Sequence, residues 1–429
     1  MRYVSTRGGV ASASLSDALF AGPAPDGGLY VPERVPRLEP QALAGLDDIA
    51  SIATGVLAPF AEGDPLAADL AQLTAEAFTF EAPLRSLHPP GTYLLELFHG
   101  PTAAFKDFGA RFLAACFRRL ARRSAQPLTV LVATSGDTGS AVGAAFLGMP
   151  NVRVVILYPD GLVSPRQAHQ LGCFGHNVHA LAVKGTFDDC QRLAKQAFAD
   201  VALRERAPLV SANSISLGRL LPQMSYYAHA ALVYWRSHAQ PLHFVVPTGN
   251  LGNAFACLLA RAAGLPIGDV LLASNANRVI PDFLASGSYQ PRSSLATLAN
   301  AMDVGDPGNM ERLRWLHPEP ARAGISAESV DDATISVCIA QGERRYGATF
   351  CPHTACAVAA LERRRQAGDT RAWGIVATAH PAKFDQTVEP LVGHAVPAPP
   401  ALAAMLARPS HNEPLGAEFA ELREWLLRG

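Results

Sequence analysis

The sequence predicts an α/β protein in which parallel βαβ units follow an α-rich N-terminal unit. Two observations carry that reading. First, a short apolar run, a Gly-rich or polar loop and a helical stretch recur in that order three times, as LTVLVA with TSGDTGSAVGAAFL, LHFVV with PTGNLGNAFACLLARAAG, and WGIVA with TAHPAKF. Apolar runs of this kind are strands covered on both faces, and their alternation with helices makes them parallel with right-handed crossovers. Second, 429 residues with 49% hydrophobic and 17% charged side chains bury more apolar surface than one small module needs, so two or three globular units are expected. The same totals exclude several function classes. A formal net charge of -1 lacks the electrostatic footprint of a nucleic-acid or anionic-membrane binder. No window approaches the roughly 18–20 continuous apolar residues of a membrane span, and MRYVSTRGGVASASLSDALF lacks a charged-then-apolar signal. Seven cysteines, an odd number without a CxxC pair, read as reduced thiols of a cytoplasmic protein.

Taken in order, residues 1–90 are rich in Ala, Leu and Pro, with helical runs expected over 41–49 and 65–78 and turn signals in PAPDGG at 23–28. From Tyr93 the strand-loop-helix pattern begins and continues to about residue 390. It holds a helix over 105–120 and strands over 128–133, 153–158, 179–183, 242–246, 270–273 and 373–377, with ligand-binding loops expected beyond the strands' carboxyl ends. Asp188 and Asp189 in GTFDDCQ mark a helix start rather than a catalytic pair. Residues 391–429 are expected to be a linker, PAPPALAAMLARPSHNEP, and a helix over 413–427.

Only four lysines (Lys106, Lys184, Lys195, Lys383) stand among the 36 Lys and Arg residues. Codon bias replaces exposed lysine by arginine freely, but not where a deprotonatable amine is needed, so the survivors are candidates for amine chemistry. Lys106, in FHGPTAAFKDF, opens an apolar helix containing Phe105, Phe108 and Phe112. Burial there would free the amine for attack on a carbonyl; the alternative is a surface helix start paired with Asp107. In PTGNLGN (247–253) small residues at a helix start let backbone N–H groups converge on an anion, although a tight turn would use the same residues. TSGDTGS (134–140) is a second such cup. A phosphate cradle together with a desolvated lysine fits pyridoxal phosphate. Asn213, Ser214 and Arg219 in NSISLGR suit an oxyanion, or an N-cap beside a surface arginine. Two metal readings, His169 with Cys173, His176 and His179, and Cys351 with His353 and Cys356, lack the paired spacing of zinc sites and are set aside for buried thiols and loop histidines.

In order along the chain, HGPTAAFKDFGARF, ATSGDTGSA, KGTFDDCQ, NSISLGR, PTGNLGN, PHTA and ATAHPAKF resemble the threonine synthase family, and MRYVSTRGG with DGGLYVPE is similar to its N-terminal unit. The resemblance implies a two-lobed, tryptophan-synthase-β-like fold. It further implies that Lys106 binds the aldehyde of pyridoxal phosphate, that Gly249, Asn250, Leu251, Gly252 and Asn253 hold its phosphate, and that Thr378 meets the pyridine nitrogen. Ser135, Asp137 and Thr138 would face the substrate carboxylate and the ring hydroxyl, and Asn213, Ser214 and Arg219 the substrate phosphate. The implied reaction turns O-phospho-L-homoserine and water into L-threonine and phosphate, in a monomer or small homo-oligomer. A phospholyase releasing a keto acid, ammonia and phosphate would share the cofactor motifs, and a non-catalytic binding protein would share the fold. Leu251, where an aromatic is frequent, and Arg278, where an acid is expected, depart from the pattern. Because the N-terminal unit stands at the start of the sequence, the extension that resembles the S-adenosylmethionine-regulated plant type is not expected.

Overall fold

Thirteen strands are present in a computed structural model that describes residues 1–120 and 127–428. In chain order they are β1 (Tyr3–Ser5), β2 (Tyr30–Pro32), β3 (Leu84–Leu87), β4 (Thr92–Glu96), β5 (Leu128–Ala133), β6 (Val152–Pro159), β7 (Val178–Val183), β8 (Leu209–Ser211), β9 (Leu242–Pro247), β10 (Ile267–Ser274), β11 (Ile325–Ser329), β12 (Trp373–Ala377) and β13 (Glu413–Leu415). One sheet has the order β13-β7-β6-β5-β8, all parallel. The other has the order β11-β10-β9-β12-β4-β3, parallel except for its edge pair β3–β4. Every residue of β5 and of β12 is buried, which is why these two runs read as continuously apolar rather than alternating. Each sheet anchors one lobe.

Helix Lys106–Leu120 links the parts: it packs against helix Asp137–Phe146 of the five-stranded lobe and helix Leu70–Ala77 of the N-terminal unit. Its buried face, including Phe108, Phe112 and Phe117, belongs to the largest apolar core. The loops at 134–140, 248–253 and 378–383 follow β5, β9 and β12 at their carboxyl ends, as the βαβ pattern predicts.

Local differences from the sequence reading have local causes. The run expected over 41–49 is a single turn, Pro40–Leu43, and the long helix is Ile49–Ala61, started by Asp48, whose side chain accepts from the Ser51 N–H. The N-terminal unit is α-rich as expected, with β1 and β2 paired antiparallel within it. The expected linker contains helix Pro400–Leu406, with proline in its first turn. The last helix begins at Phe419, not 413, because residues 413–415 pair with β7 and return the chain to the five-stranded lobe. Among the described residues no helix is long and apolar enough to cross a membrane.

Candidate active site

The segment that carries Lys106 is stitched to the end of β12. The Phe105 N–H donates to the Thr378 carbonyl (2.8 Å), and the His380 N–H donates to the Ala103 carbonyl (3.0 Å). Lys106 and Thr378 therefore share one backbone frame. Lys106 is partly exposed, 5.0 Å from the centre of the Phe105 ring. Its amine is pushed down to about 8, chiefly by loss of water and secondarily by Arg219 and Lys383, against the opposing pull of Asp137. The alternative pairing with Asp107 is not formed. Asp107 turns away to accept from the Thr102 N–H (2.8 Å) and hydroxyl (2.7 Å), bracing the 100–105 loop, and burial raises its carboxyl to about 6.

Beyond β9, residues 249–253 enter helix Gly252–Ala262 through Leu251 in the left-handed region (φ 61°), and the N–H groups of residues 250–253 find no acceptor among the described residues. A side chain at Gly249 would lie 2.8 Å from the Met302 backbone, so glycine is required for the loop to sit against that segment. Asn250 donates to the Ser214 hydroxyl and accepts from the Gly308 N–H, and its carbonyl accepts from the Asn309 side chain (2.9 Å). Behind Asn309 lies the fully buried Arg312, which donates to Asn309 (2.7 Å) and to the Tyr30 carbonyl of β2 (2.8 Å), tying the N-terminal unit to this loop. Asn253 accepts through Oδ1 from the hydroxyls of Tyr226 (2.5 Å) and Tyr227 (2.9 Å), and its buried Nδ2 has no partner.

Beyond β5, the Thr134 hydroxyl accepts from the N–H groups of Gly136 and Gly139 (both 3.0 Å) and shapes the second cup. Ser135 and Thr138 are partly exposed, and the N–H groups of Asp137 and Thr138 make no bond to a described residue. The Asp137 side chain is committed elsewhere: its Oδ1 lies 2.8 Å from Lys383 Nζ and accepts from Gln167 Nε2 (3.0 Å). Burial alone would raise this carboxyl, but Lys383 and then Lys106 override it and hold the group well below the usual carboxylate range. After β8, Asn213 is partly exposed with its Oδ1 unpartnered, and Arg219 is buried. Arg219 donates through Nη1 to the Ala212 carbonyl (2.6 Å), while its Nε has no partner. Loss of water lowers its guanidinium to about 10, an effect that Asp107 opposes.

The structure thus brings Lys106 together with Arg219, Asp137 and Lys383, and joins the loop after β9 to them through Asn253, Tyr226 and Phe108. Lys383, Gln167, Tyr226, Tyr227 and Arg312 support them and were not assigned roles from sequence; scarcity of lysine was the one signal for Lys383. The residues suit pyridoxal phosphate. An amine that sheds its proton near pH 8, a set of unclaimed N–H donors with an unpartnered amide donor at Asn253, and the Thr378 hydroxyl, free of side-chain partners among the described residues, match an aldehyde, a phosphate and a ring nitrogen. Arg278 pairs with Asp282 (2.8 Å) on an exposed helix start, and Leu251 is buried. His353, set by sequence among possible metal ligands, accepts from the Ala301 N–H (3.1 Å), and burial lowers its imidazole to about 4, leaving it neutral. His179 faces Glu413 and Trp425, whereas Cys173 donates to the Gln170 carbonyl.

Three family models match the chain: pyridoxal-phosphate dependent enzyme over residues 81–381, threonine synthase N terminus over 2–78 and threonine synthase C-terminal over 354–425. The threonine synthase of Serratia marcescens is 40% identical over 424 residues, 96% of each chain, and that of Haemophilus influenzae is 38% identical over 427 residues, 97% of each. Among solved structures, threonine synthase from Escherichia coli superposes with a TM-score of 0.93 at 37% identity, covering 100% of this chain and 99% of that one. The pyridoxal-phosphate-bound threonine synthase from Brucella melitensis gives 0.90 at 35% identity, with the same coverage. A pyridoxal-phosphate-dependent aspartate racemase, 15% identical over 70% of this chain with a TM-score of 0.53, shares the fold alone.

Proposed function

The chain belongs to the pyridoxal-phosphate-dependent threonine synthase family, and from that premise we propose that it converts O-phospho-L-homoserine and water into L-threonine and phosphate. One observation carries the assignment of roles: a single depressed amine, Lys106, is flanked by two separate anion cups and a third set of polar groups at Asn213, Ser214 and Arg219. One cup is needed for the cofactor phosphate, which leaves donors for a substrate carrying both a carboxylate and a phosphate of its own.

When bound, pyridoxal phosphate supplies the electron sink that acidifies the substrate's Cα and then Cβ protons. Gly249, Asn250, Leu251, Gly252 and Asn253 would hold its phosphate through backbone N–H groups and the Asn253 amide, and the Thr378 hydroxyl would face its ring nitrogen as a neutral partner. Lys106 Nζ would take the Cα proton; an amine near pH 8 is basic enough to accept it and is already partly unprotonated at neutral pH. Ser135 and Thr138, with the free N–H groups of their loop, hold the substrate carboxylate, and Asp137 fixes that loop through its own side-chain contacts. Arg219, Asn213 and Ser214 hold the phosphate before and after its C–O bond breaks, keeping it beside the Cβ to which water adds. The test is product analysis: the purified protein with cofactor and O-phospho-L-homoserine should release threonine and phosphate in equal amounts. A keto acid with ammonia would instead make it a phospholyase, and no turnover at all would make it a binding protein.

A further inference from the structure

Lys383 is fully buried, and no step above uses it. Its Nζ lies 2.8 Å from Asp137 Oδ1 and donates to the Thr102 carbonyl at 2.8 Å. The carboxylate sits in the first turn of helix Asp137–Phe146 in the five-stranded lobe, the ammonium sits in the turn after β12 in the six-stranded lobe, and Thr102 belongs to the segment that carries Lys106. Neighbouring bonds reinforce the seam: the Ser164 hydroxyl donates to the Lys383 carbonyl (3.1 Å), and Arg166 donates to the Ala382 carbonyl (2.5 Å). A buried ion pair contributes little net stability compared with an apolar pair of the same volume, so stability alone does not account for this one.

The pair's position suggests a chemical reason. The charged groups that act on Lys106 are Asp137, which favours its protonated form, and Arg219 and Lys383, which disfavour it. Asp137 in turn feels two cations, Lys383 and Lys106. Without Lys383, the remaining ammonium available to Asp137 is Lys106 itself, and a carboxylate that claims that ammonium leaves no lone pair for nucleophilic or basic chemistry. We propose that Lys383 is a positioning residue for the reaction: it satisfies Asp137, so that this carboxylate anchors the 134–140 loop and leaves the Lys106 amine free. The proposal rests on Lys106 being the cofactor lysine.

The chain's scarcity of lysine makes the test direct. The full-length protein, freed of cofactor, is labelled with a limiting amine reagent across the range from neutral pH to about pH 10.5 and read lysine by lysine by peptide mass. The exposed Lys184 and Lys195 serve as internal standards. Lys383→Met should raise the Lys106 midpoint by about one pH unit, which lowers its labelling at pH 8 about fivefold. The double variant Lys383→Met with Asp137→Asn should return the midpoint to near the wild-type value, since no carboxylate then competes for the amine, and Lys383→Arg should keep it. A midpoint unmoved by Lys383→Met, or raised as much in the double variant as in the single one, makes Lys383 a residue of the fold only and overturns the proposal. If Lys383→Met does not fold, the double variant and Lys383→Arg decide: a raised midpoint in either overturns it. Failure of the premise is seen separately, as borohydride trapping of cofactor in the wild type at a lysine other than Lys106.

Discussion

Lys106 has a folded-state amine lowered from 10.5 to about 8, so its reactive neutral form is a minority at pH 7 and dominates above pH 9. Uptake of pyridoxal phosphate by the cofactor-free protein should accordingly accelerate through a midpoint near pH 8 and then level off, as followed by the growth of visible absorbance. Lys106→Arg should take up none covalently and give no borohydride adduct, since guanidinium cannot form the imine. A subtler dependence concerns Asn253. Tyr227 donates its hydroxyl to Asn253 Oδ1, which turns the amide's Nδ2 end away from the tyrosines. Tyr227→Phe removes one of the two bonds that set that orientation and should weaken cofactor binding by about 2- to 13-fold, the range of a net hydrogen bond of ~0.5–1.5 kcal/mol; equilibrium fluorescence titration measures it. Lys106 was legible in the sequence because an amine survives in an arginine-rich chain within an apolar helix start. Tyr227 was not, because nothing in local sequence distinguishes a tyrosine that orients a distant amide from one that only fills a core.

Strand boundaries were legible wherever burial on both faces produced a near-continuous apolar run, as in β5 and β12. They were not legible where pairing with a distant segment decided the conformation: residues 413–415 are extended because β7 offers an open edge, and no local pattern announces that. The loop after β9 depends equally on remote atoms. Its approach to the 300–309 segment leaves no room for a methyl group at Gly249, whose added Cβ would meet Met302 Cα at 2.8 Å. Gly249→Ala should therefore displace the two backbones from one another, costing about 1–3 kcal/mol of stability. Cofactor affinity should suffer more, by about 10-fold or beyond, because the N–H groups that converge on the phosphate are carried by the displaced loop. Chemical denaturation with and without cofactor separates the two effects: the stabilisation added by a fixed cofactor concentration should shrink in the variant. An undiminished increment would mean that the loop does not hold the phosphate.

At the scale of the molecule, all seven cysteines are free and buried, and burial pushes each of their thiols upward, with Cys190 and Cys338 reaching about 12. The native protein should thus resist a thiol reagent at pH 7.5, and all seven thiols should appear on unfolding; early labelling of Cys116 or Cys257 alone would reveal a locally opening core. The seam between the lobes was not legible, since Lys383 and Asp137 are far apart in sequence. The stitching of the Lys106 segment to β12 has a consequence for how such a chain can vary. Two peptide hydrogen bonds, Phe105 to Thr378 and His380 to Ala103, work as a gauge block that sets the span between the amine and the hydroxyl without reference to any side chain. Side chains along the stitched segment can change while the span is conserved, but inserting or deleting one residue within 103–106 would shift the register and turn Lys106 away from Thr378. Length there is held to a tolerance of zero.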